Sequence, residues 1–270
     1  MAGRASDRNR VAVLGWHSWW HALAAIGAGV LAGVVNSVAG GGTNISFPVL
    51  LWLGLPPITA NATSATALWP GVMSAAVGFA PEIRKSPKRW YWLAVPSFVG
   101  GAIGAYLLVH TPSTVFRSIA PWLVIGSSTL MAAEPLLVKR FTALQGERRG
   151  ELWLALALGV QLLISSYGGY FGAGLGILIL TALGLLGLRD LHAANGMKNM
   201  YSVAIKGVAV IYFVVMAQVV WHAAITMAVG AIAGGYLGAR VSRKAKQSTM
   251  RWVAVGIGVV IGVVMLVKMV

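Results

Sequence analysis

The run Asn36-Ser37-Val38-Ala39-Gly40-Gly41-Gly42-Thr43-Asn44 interrupts an apolar stretch with three consecutive glycines. In a membrane, the backbone N–H and C=O groups at such a break need partners inside the protein or in a water-filled cavity. Glycine also adopts positive φ angles and lets the backbone approach a ligand closely. If a helix restarts at Thr43, its free N–H groups and the positive end of its dipole favour an anion at the break.

The break is repeated in the second half of the chain at a constant spacing of 134 residues, from Gly40 to Gly174. The matched clusters are Ala39-Gly40-x-Gly42 with Ala173-Gly174-x-Gly176, Ala60-Asn61 with Ala194-Asn195, and Gly100-Gly101-x-x-Gly104-Ala105 with Gly234-Gly235-x-x-Gly238-Ala239. Their constant register indicates a duplicated unit. Duplicated hydrophobic halves that each carry a glycine-interrupted segment are typical of secondary transporters.

Composition predicts an integral membrane protein. The chain is 58% hydrophobic and only 10% charged over 270 residues, with a mean hydropathy of +0.78. The net charge of +15 is explained by cations in short loops, which orient a membrane protein and meet anionic lipid head groups. We therefore predict an all-α polytopic protein in contact with the lipid bilayer, and we expect no nucleic-acid partner.

Ten apolar runs divide equally between the two halves. They are residues 20–38, 43–55, 60–80, 91–109, 118–138, 151–168, 172–187, 194–216, 219–239 and 252–269. We predict about eight to ten membrane segments, with the short runs 43–55 and 172–187 as half-helices beside the glycine breaks. The domain organisation follows as a basic and aromatic tail at 1–19, a first repeat at 20–138, a cytoplasmic linker at 139–151 and a second repeat at 152–270.

Loop charges predict that the two repeats have inverted topology. The 81–90 loop carries four Lys or Arg residues, whereas its repeat partner, 215–224, carries only His222 as a basic residue. The positive-inside rule assigns three basic loops to the cytoplasm: 81–90, 139–151 and 240–251. Equivalent loops of the two repeats then lie on opposite sides of the membrane. One feature disagrees, because Arg4, Arg8 and Arg10 would then lie outside.

Glycines and polar residues beside the breaks form the candidate substrate-binding site. In the first repeat the candidates are Asn36, Gly40, Gly41, Gly42, Thr43, Asn61 and Ser64, and in the second they are Gly174, Gly176, Asn195, Lys198 and Asn199. The alternative for the glycines is that they only allow helices to pack closely. Packing is the interpretation we favour for Gly100, Gly104, Gly234 and Gly238, which have no polar neighbours.

Two lysines lie within a predicted membrane segment. Asn195, Lys198, Ser202 and Lys206 follow spacings of three, four and four, so they share one stripe of a helix. A lysine in the membrane is costly unless it faces a cavity, a partner or an anion, and the 194–216 run contains no carboxylate. An anionic substrate would supply the missing charge. The alternative for Lys198 is that its side chain extends to lipid head groups near the cytoplasmic end.

Other kinds of chemistry have little support in the sequence. The chain has six acidic residues and five histidines. Because no acidic residue falls in the middle of a predicted segment, neither a carboxylate proton relay nor a cation pathway is indicated. The histidines form no His/Glu cluster of ligand spacing, so we predict no metal site and no cofactor. An intramembrane enzyme would need a Ser–His, Asp–Asp or metal constellation, so we assign no catalytic residue.

The motif Gly33-x-x-Asn36-Ser37-x-Ala39-Gly40-Gly41-Gly42-Thr43-x-x-Ser46-x-Pro48, followed by Gly54-Leu55-x-x-x-x-Ala60-Asn61-Ala62-Thr63, resembles the sulfite exporter TauE/SafE family of bacterial inner-membrane permeases. The resemblance covers nearly the full chain. The second repeat departs from the motif, because Gly174-x-Gly176 replaces a triple glycine and Lys198 replaces a small polar residue. The resemblance implies an inner-membrane location and a cargo such as sulfite or an organosulfonate.

We therefore predict a secondary transporter, an exporter of a small anion, that works by alternating access about a site near the bilayer midplane. The first-repeat candidates would form one wall of the site and the second-repeat candidates the other, and one repeat would rock against the other. An anion channel, and a permease for a different small oxyanion or carboxylate, remain open as alternatives. The sequence leaves the coupling ion and the oligomeric state open, and a homodimer is compatible with it.

Overall fold

The structure, a computed structural model, describes residues 19–143, 151–188, 190–216, 218–241 and 247–267. These residues form α-helices and contain no strand, so the predicted all-α fold is confirmed. In chain order the helices are α1 (Trp19–Ala39), α2 (Thr43–Trp52), α3 (Pro57–Gly78), α4 (Ala80–Lys85), α5 (Ala94–His110), α6 (Ser113–Ala143), α7 (Glu151–Tyr170), α8 (Leu175–Leu185), α9 (Leu191–Val215), α10 (Trp221–Val241) and α11 (Gln247–Val267).

All ten predicted segments correspond to helices, and the two half-helices are confirmed. Helices α2 and α8 contain 10 and 11 residues. At 1.5 Å per residue they are roughly 15 to 17 Å long, about half of a hydrocarbon core of about 30 Å. The sequence interpretation missed α4. The 81–90 stretch, predicted as a loop, forms part of α4 and of a 3-10 helix at Lys88–Leu93.

Local sequence explains where the central helices begin. Helix α3 begins at Pro57, whose fixed φ angle and missing N–H suit the first position of a helix. Helix α9 begins after Asp190, whose side chain accepts a hydrogen bond of 2.9 Å from the backbone N–H of His192. The half-helix α2 is followed by Gly54, which has a φ of 90° and allows the chain to reverse after the helix.

The helices follow the same order in the two halves, and the first helix of each half packs mainly on a helix of the other half. Helix α1 packs most extensively on α10 of the other half, and the equivalent pair is α7 with α5. A Cβ on Gly101 would lie 2.6 Å from the carbonyl oxygen of Ile205, and a Cβ on the equivalent Gly235 would contact the carbonyl oxygen of Gly71. Gly71 stands at the repeat position of Ile205. The same contact is therefore made twice with the halves interchanged, which supports the duplication. The inversion of the halves relative to the membrane remains a prediction.

The glycines that we expected at helix crossings do lie there. A Cβ on Gly100 would lie 2.5 Å from the Cβ of Ser165 on α7, and a Cβ on Gly238 would lie 2.9 Å from the Cα of Val34 on α1. Gly104 and Gly234 are equally close to backbone of the facing helix. The packing interpretation is therefore confirmed for these four positions.

The helices form a multi-pass membrane protein. Among the residues that the structure describes, four stretches are helical, long and apolar enough to cross a bilayer: Trp19–Ser37, Trp90–His110, Ser113–Ala133 and His192–Val215. Large apolar side chains such as Val77 and Leu163 are 72% and 73% exposed, which suits lipid rather than water. The number of eight to ten crossings remains a prediction.

Some predicted boundaries fall outside the described residues. This is true of the tail at 1–19 apart from Trp19, and therefore of its arginines. The predicted linker at 139–151 is shorter than expected, because residues 139–143 continue α6 and Glu151 begins α7. Residues 144–150 of that linker, and residues 242–246 of the basic loop 240–251, lie outside the described part of the chain.

Helix packing can be tested with two alanines on α1. A Cβ on Gly29 would overlap the carbonyl oxygen of Met227 and lie 3.1 Å from the backbone nitrogen of Ala231, both on α10. We expect Gly29→Ala to lower stability by about 1–3 kcal/mol, measured as an earlier thermal unfolding transition in detergent. The matched control is Gly27→Ala, because a Cβ there meets nothing within 4 Å and alanine favours the helix. Equal effects of the two substitutions would contradict the close crossing.

Inversion of the repeats can be tested by cysteine labelling, since the chain has no native cysteine. Lys88 and His222 occupy equivalent repeat positions, and both are exposed. With an impermeant maleimide on intact spheroplasts, Lys88→Cys should react only after permeabilisation, whereas His222→Cys should react from outside. Labelling of both cysteines from the same side would rule out inverted topology.

Candidate functional site

The two glycine breaks lie against each other. The first separates α1 from α2, and the second separates α7 from α8. The equivalent residues Gly40 and Gly174 both adopt left-handed backbone conformations, with φ of 73° and 69°, which side chains larger than hydrogen disfavour. A Cβ on Gly40 would lie 2.5 Å from the backbone nitrogen of Gly176. The breaks therefore meet, as a single site between the repeats requires.

Several backbone N–H groups at the breaks have no hydrogen-bond acceptor within the described part of the chain. The N–H of Gly40 is used, because it lies 3.0 Å from the carbonyl oxygen of Asn36. In contrast, the N–H groups of five residues donate no hydrogen bond there: Gly41, Gly42, Ala173, Gly174 and Gly176. Unpaired donors at the start of a helix are the groups that bind anions in proteins.

Lys198 holds the end of α1. Its side chain is 1% exposed, and its Nζ donates to the carbonyl oxygen of Ser37 at 2.9 Å and to Oδ1 of Asn195 at 3.1 Å. Ser37 lies in the last turn of α1, where unpaired carbonyl groups and the negative end of the dipole stabilise a cation. The alternative that Lys198 extends to lipid head groups is wrong, because the side chain is enclosed by protein.

Asn61 of the first repeat makes the equivalent contact with the end of the second repeat's first helix, α7. Its Nδ2 donates to the carbonyl oxygen of Tyr170, the last residue of α7, at 2.8 Å. Asn61 lies at the repeat position of Asn195, so each repeat contributes a polar group that holds the end of the other repeat's first helix. Polar groups of each repeat therefore reach the break of the other, and the division into a first-repeat wall and a second-repeat wall remains a prediction.

The remaining first-repeat candidates connect to the first break. Ser64 Oγ lies 2.6 Å from Ser46 Oγ, and Ser46 Oγ donates to the carbonyl oxygen of Gly42 at 3.2 Å. A Cβ on Gly42 would lie 2.8 Å from the Cβ of Asn36, and one on Gly41 would lie 2.6 Å from Cε of Met131. The α-carbons of these glycines thus face protein atoms in this conformation, as the packing alternative proposes, whereas their N–H groups remain unpaired.

Two further candidates, Asn199 and Thr43, show no side-chain hydrogen bond to the other repeat among the described residues. The side chain of Asn199 is buried, and its Nδ2 donates to the carbonyl oxygen of Asn195 on its own helix at 2.9 Å. Thr43 is 2% exposed at the first position of α2. Their predicted roles in substrate binding remain predictions, as do those of the other ten candidates.

The sequence interpretation missed a polar contribution from α6. Ser127 Oγ donates to Oδ1 of Asn44 at 2.7 Å, and Asn44 Nδ2 donates to Ser128 Oγ at 3.4 Å. A Cβ on Gly174 would lie 3.3 Å from the Cβ of Ser127, so these serines connect the start of α2 with the second break. The signal available was Asn44 within the glycine-rich run and a pair of serines inside an apolar helix.

Neither of two cavities in the described structure is lined by residues of the breaks. One, of about 600 Å³, lies beside the end of α2 and is lined mainly by apolar residues together with Arg117. The other, of about 640 Å³, lies between α4 and the start of α9, beside Glu82 and Asp190. Among the described side chains, no group of three or more His, Asp or Glu residues could hold a metal ion.

Comparison with known proteins agrees with the fold in indicating a multi-pass membrane protein. The family model for the sulfite exporter TauE/SafE matches residues 25–265. A probable membrane transporter protein of Haemophilus influenzae is 28% identical over 221 residues, which cover 79% of this chain and 82% of that protein. No solved structure matches the chain significantly.

Two further relatives carry similar names. The probable membrane transporter protein YfcA of Escherichia coli K12 is 27% identical over 222 residues, covering 82% of this chain and 81% of the relative. The probable membrane transporter protein ORF9 of a Sinorhizobium species is 29% identical over 217 residues, covering 79% and 80%. With a family match across all but the two ends of the chain, this multi-pass membrane protein belongs to the sulfite exporter TauE/SafE family of transporters.

Proposed function

We propose that this protein is a secondary transporter that exports a small anion, such as sulfite or an organosulfonate, across the bacterial inner membrane. The observation that carries the proposal is the meeting of two glycine breaks, at which several backbone N–H groups lack acceptors among the described residues, beside buried lysines. Backbone donors and cations in a low-dielectric interior favour negative charge. The name of the matching family supports sulfite or a similar anion as the cargo.

Alternating access would use bodies built from both repeats. Helix α10 packs extensively on both α1 and α3, and α5 packs in the equivalent way on α7 and α9. The backbone approach at Gly101 and Gly235 holds α5 to α9 and α10 to α3. These two groups of helices, rather than the two repeats, would therefore move as rigid bodies, and separation of Gly40 from Gly176 would open the site.

The membrane potential favours export of an anion. In a cell that is negative inside, moving one negative charge outward releases about 2.3 kcal/mol per 100 mV. The cationic site lowers the cost of holding that charge in the hydrocarbon core. A carrier without a coupled proton could therefore export such a cargo.

Two alternatives remain to be separated from a carrier. An anion channel would use the same donors without alternating access. An intramembrane enzyme would need a nucleophile paired with a base, and the hydroxyl groups of Ser46, Ser64 and Ser127 bond to a backbone carbonyl, to one another or to the amide of Asn44 instead. The family and the names of the relatives favour transport.

The proposal is tested by counterflow in proteoliposomes. Vesicles loaded with unlabelled sulfite should accumulate ³⁵S-sulfite transiently above equilibrium, and the initial rate should saturate, because a carrier exchanges one bound anion for another. Protein-free vesicles are the control for leakage. A rate that rises linearly with concentration, with no accumulation above equilibrium, would instead indicate a channel, and no flux of any tested oxyanion would refute anion transport.

A further inference from the structure

Lys206 is a buried cation for which the described protein provides no partner. The side chain is 3% exposed, and its Nζ makes no hydrogen bond to any described atom. Lys198, two turns earlier on α9, bonds to Ser37 and Asn195. The two lysines of the predicted stripe therefore differ: one has protein partners for its charge and the other has none.

No described carboxylate is within reach of this ammonium group. Asp190 directly precedes α9, so Lys206 lies about 24 Å farther along the helix at 1.5 Å per residue. Glu82 lines the same polar cavity as Asp190, at that end of α9. An unpaired charge in a protein interior is costly, so an anionic ligand beside the ammonium group would stabilise it.

The second break lies directly beside Lys206. A Cβ on Gly172 would lie 3.8 Å from Cε of Lys206, so the end of the lysine side chain lies against the turn that leads into α8. Gly172 and Gly174 both have left-handed conformations, with φ of 74° and 69°. A left-handed residue followed by a helical one directs successive N–H groups to a common side, which forms an anion-binding concavity.

Donors of this turn are unpaired, whereas one of its acceptors is occupied. The N–H groups of Ala173, Gly174 and Gly176 donate no hydrogen bond within the described chain. The carbonyl oxygen of Ala173 accepts a hydrogen bond of 2.6 Å from the hydroxyl of Tyr167. The turn thus presents donors beside a cation, which is the combination that an oxyanion satisfies.

The first break lacks this combination. Val72 stands at the repeat position of Lys206, and Ser64 stands at that of Lys198. Both lysines lie on α9 of the second repeat. Lys198 donates a hydrogen bond to the end of α1, whereas Lys206 lies at the second break. The two breaks are alike in backbone conformation at Gly40 and Gly174, but the lysine at the first break bonds to protein and the lysine at the second bonds to no described atom.

We propose that Lys206 and the 172–176 turn form the subsite that binds the charged group of the transported anion, a small oxyanion with several acceptor oxygens. This inference rests on the proposed function and adds to it that the charge is bound at the second break, by Lys206 rather than Lys198. One oxygen would accept from the ammonium group of Lys206, and the others would accept from N–H groups of the turn.

Binding measurements on the purified, full-length protein test the subsite. Sulfite binding is measured by titration calorimetry for the wild type and for Lys206→Met, which keeps an unbranched side chain of similar length without the charge. We expect the affinity to fall at least about 30-fold, because a buried charged partner is lost. Lys85→Met is the matched control, since Lys85 is exposed on α4, and it should bind as the wild type does. Wild-type affinity in Lys206→Met would overturn the inference.

Stability without anions gives a second readout. In buffer free of oxyanions, Lys206→Met should unfold at or above the temperature of the wild type, because it removes an uncompensated buried charge. Sulfite should raise the unfolding temperature of the wild type and leave that of Lys206→Met unchanged. A lower unfolding temperature for Lys206→Met without anions would show that the protein itself stabilises the charge, which contradicts the proposal.

A third measurement needs no variant. Selenite has the pyramidal shape of sulfite, and the chain contains no thiol that it could oxidise. A crystal grown with selenite should show an anomalous selenium peak within hydrogen-bond distance of Lys206 Nζ. A peak beside Lys198 alone, or no peak at the second break, would overturn the inference.

The outcomes separate this inference from the proposed function. Saturable sulfite counterflow together with undiminished binding by Lys206→Met would reject the subsite and retain the transporter. Selenite bound at Lys206 in a protein without counterflow would retain the subsite and reject the transporter.

Discussion

The contact between the two glycine breaks is the constraint on which the rest of the structure depends. A broken backbone inside an apolar bundle must find partners for its polar groups, and the carbonyl ends of α1 and α7 find them in Lys198 and Asn61. The amide ends of α2 and α8 do not, because Gly41, Gly42, Ala173, Gly174 and Gly176 donate no hydrogen bond in the described chain. Carbonyl ends that are capped by protein and amide ends that are not together favour a negative ligand.

The packing of helices of one half on helices of the other determines how this site is assembled. Because α1 packs on α10 and α7 packs on α5, neither repeat encloses its own break. Asn61 and Lys198 each extend to the opposite first helix, so both repeats are needed to complete either break. Asymmetry enters through α9, whose Lys198 and Lys206 replace Ser64 and Val72 of the first repeat. A duplicated scaffold thus carries a charge that only one half supplies.

Much of this arrangement could be predicted from local sequence, and the rest depends on contacts that sequence does not contain. Gly40 and Gly174 identify the breaks because only a glycine readily adopts their left-handed conformations, and the short runs after them give α2 and α8. The partner of Lys198 could not be predicted, since Ser37 is 161 residues away. The serines of α6 were missed for the same reason, and the contact of Asn61 with the opposite half follows from packing between the halves rather than from spacing along the chain.

The central claim, that an anion is bound by unpaired amides of the second break, is tested most directly by solid-state NMR of the protein in lipid bilayers. The amide proton resonances of Gly174 and Gly176 would be recorded without and with sulfite. Because hydrogen bonding to an anion deshields an amide proton, our account predicts downfield shifts for these residues that saturate with sulfite concentration. Unchanged resonances in a sample where sulfite binding is independently detected would contradict it.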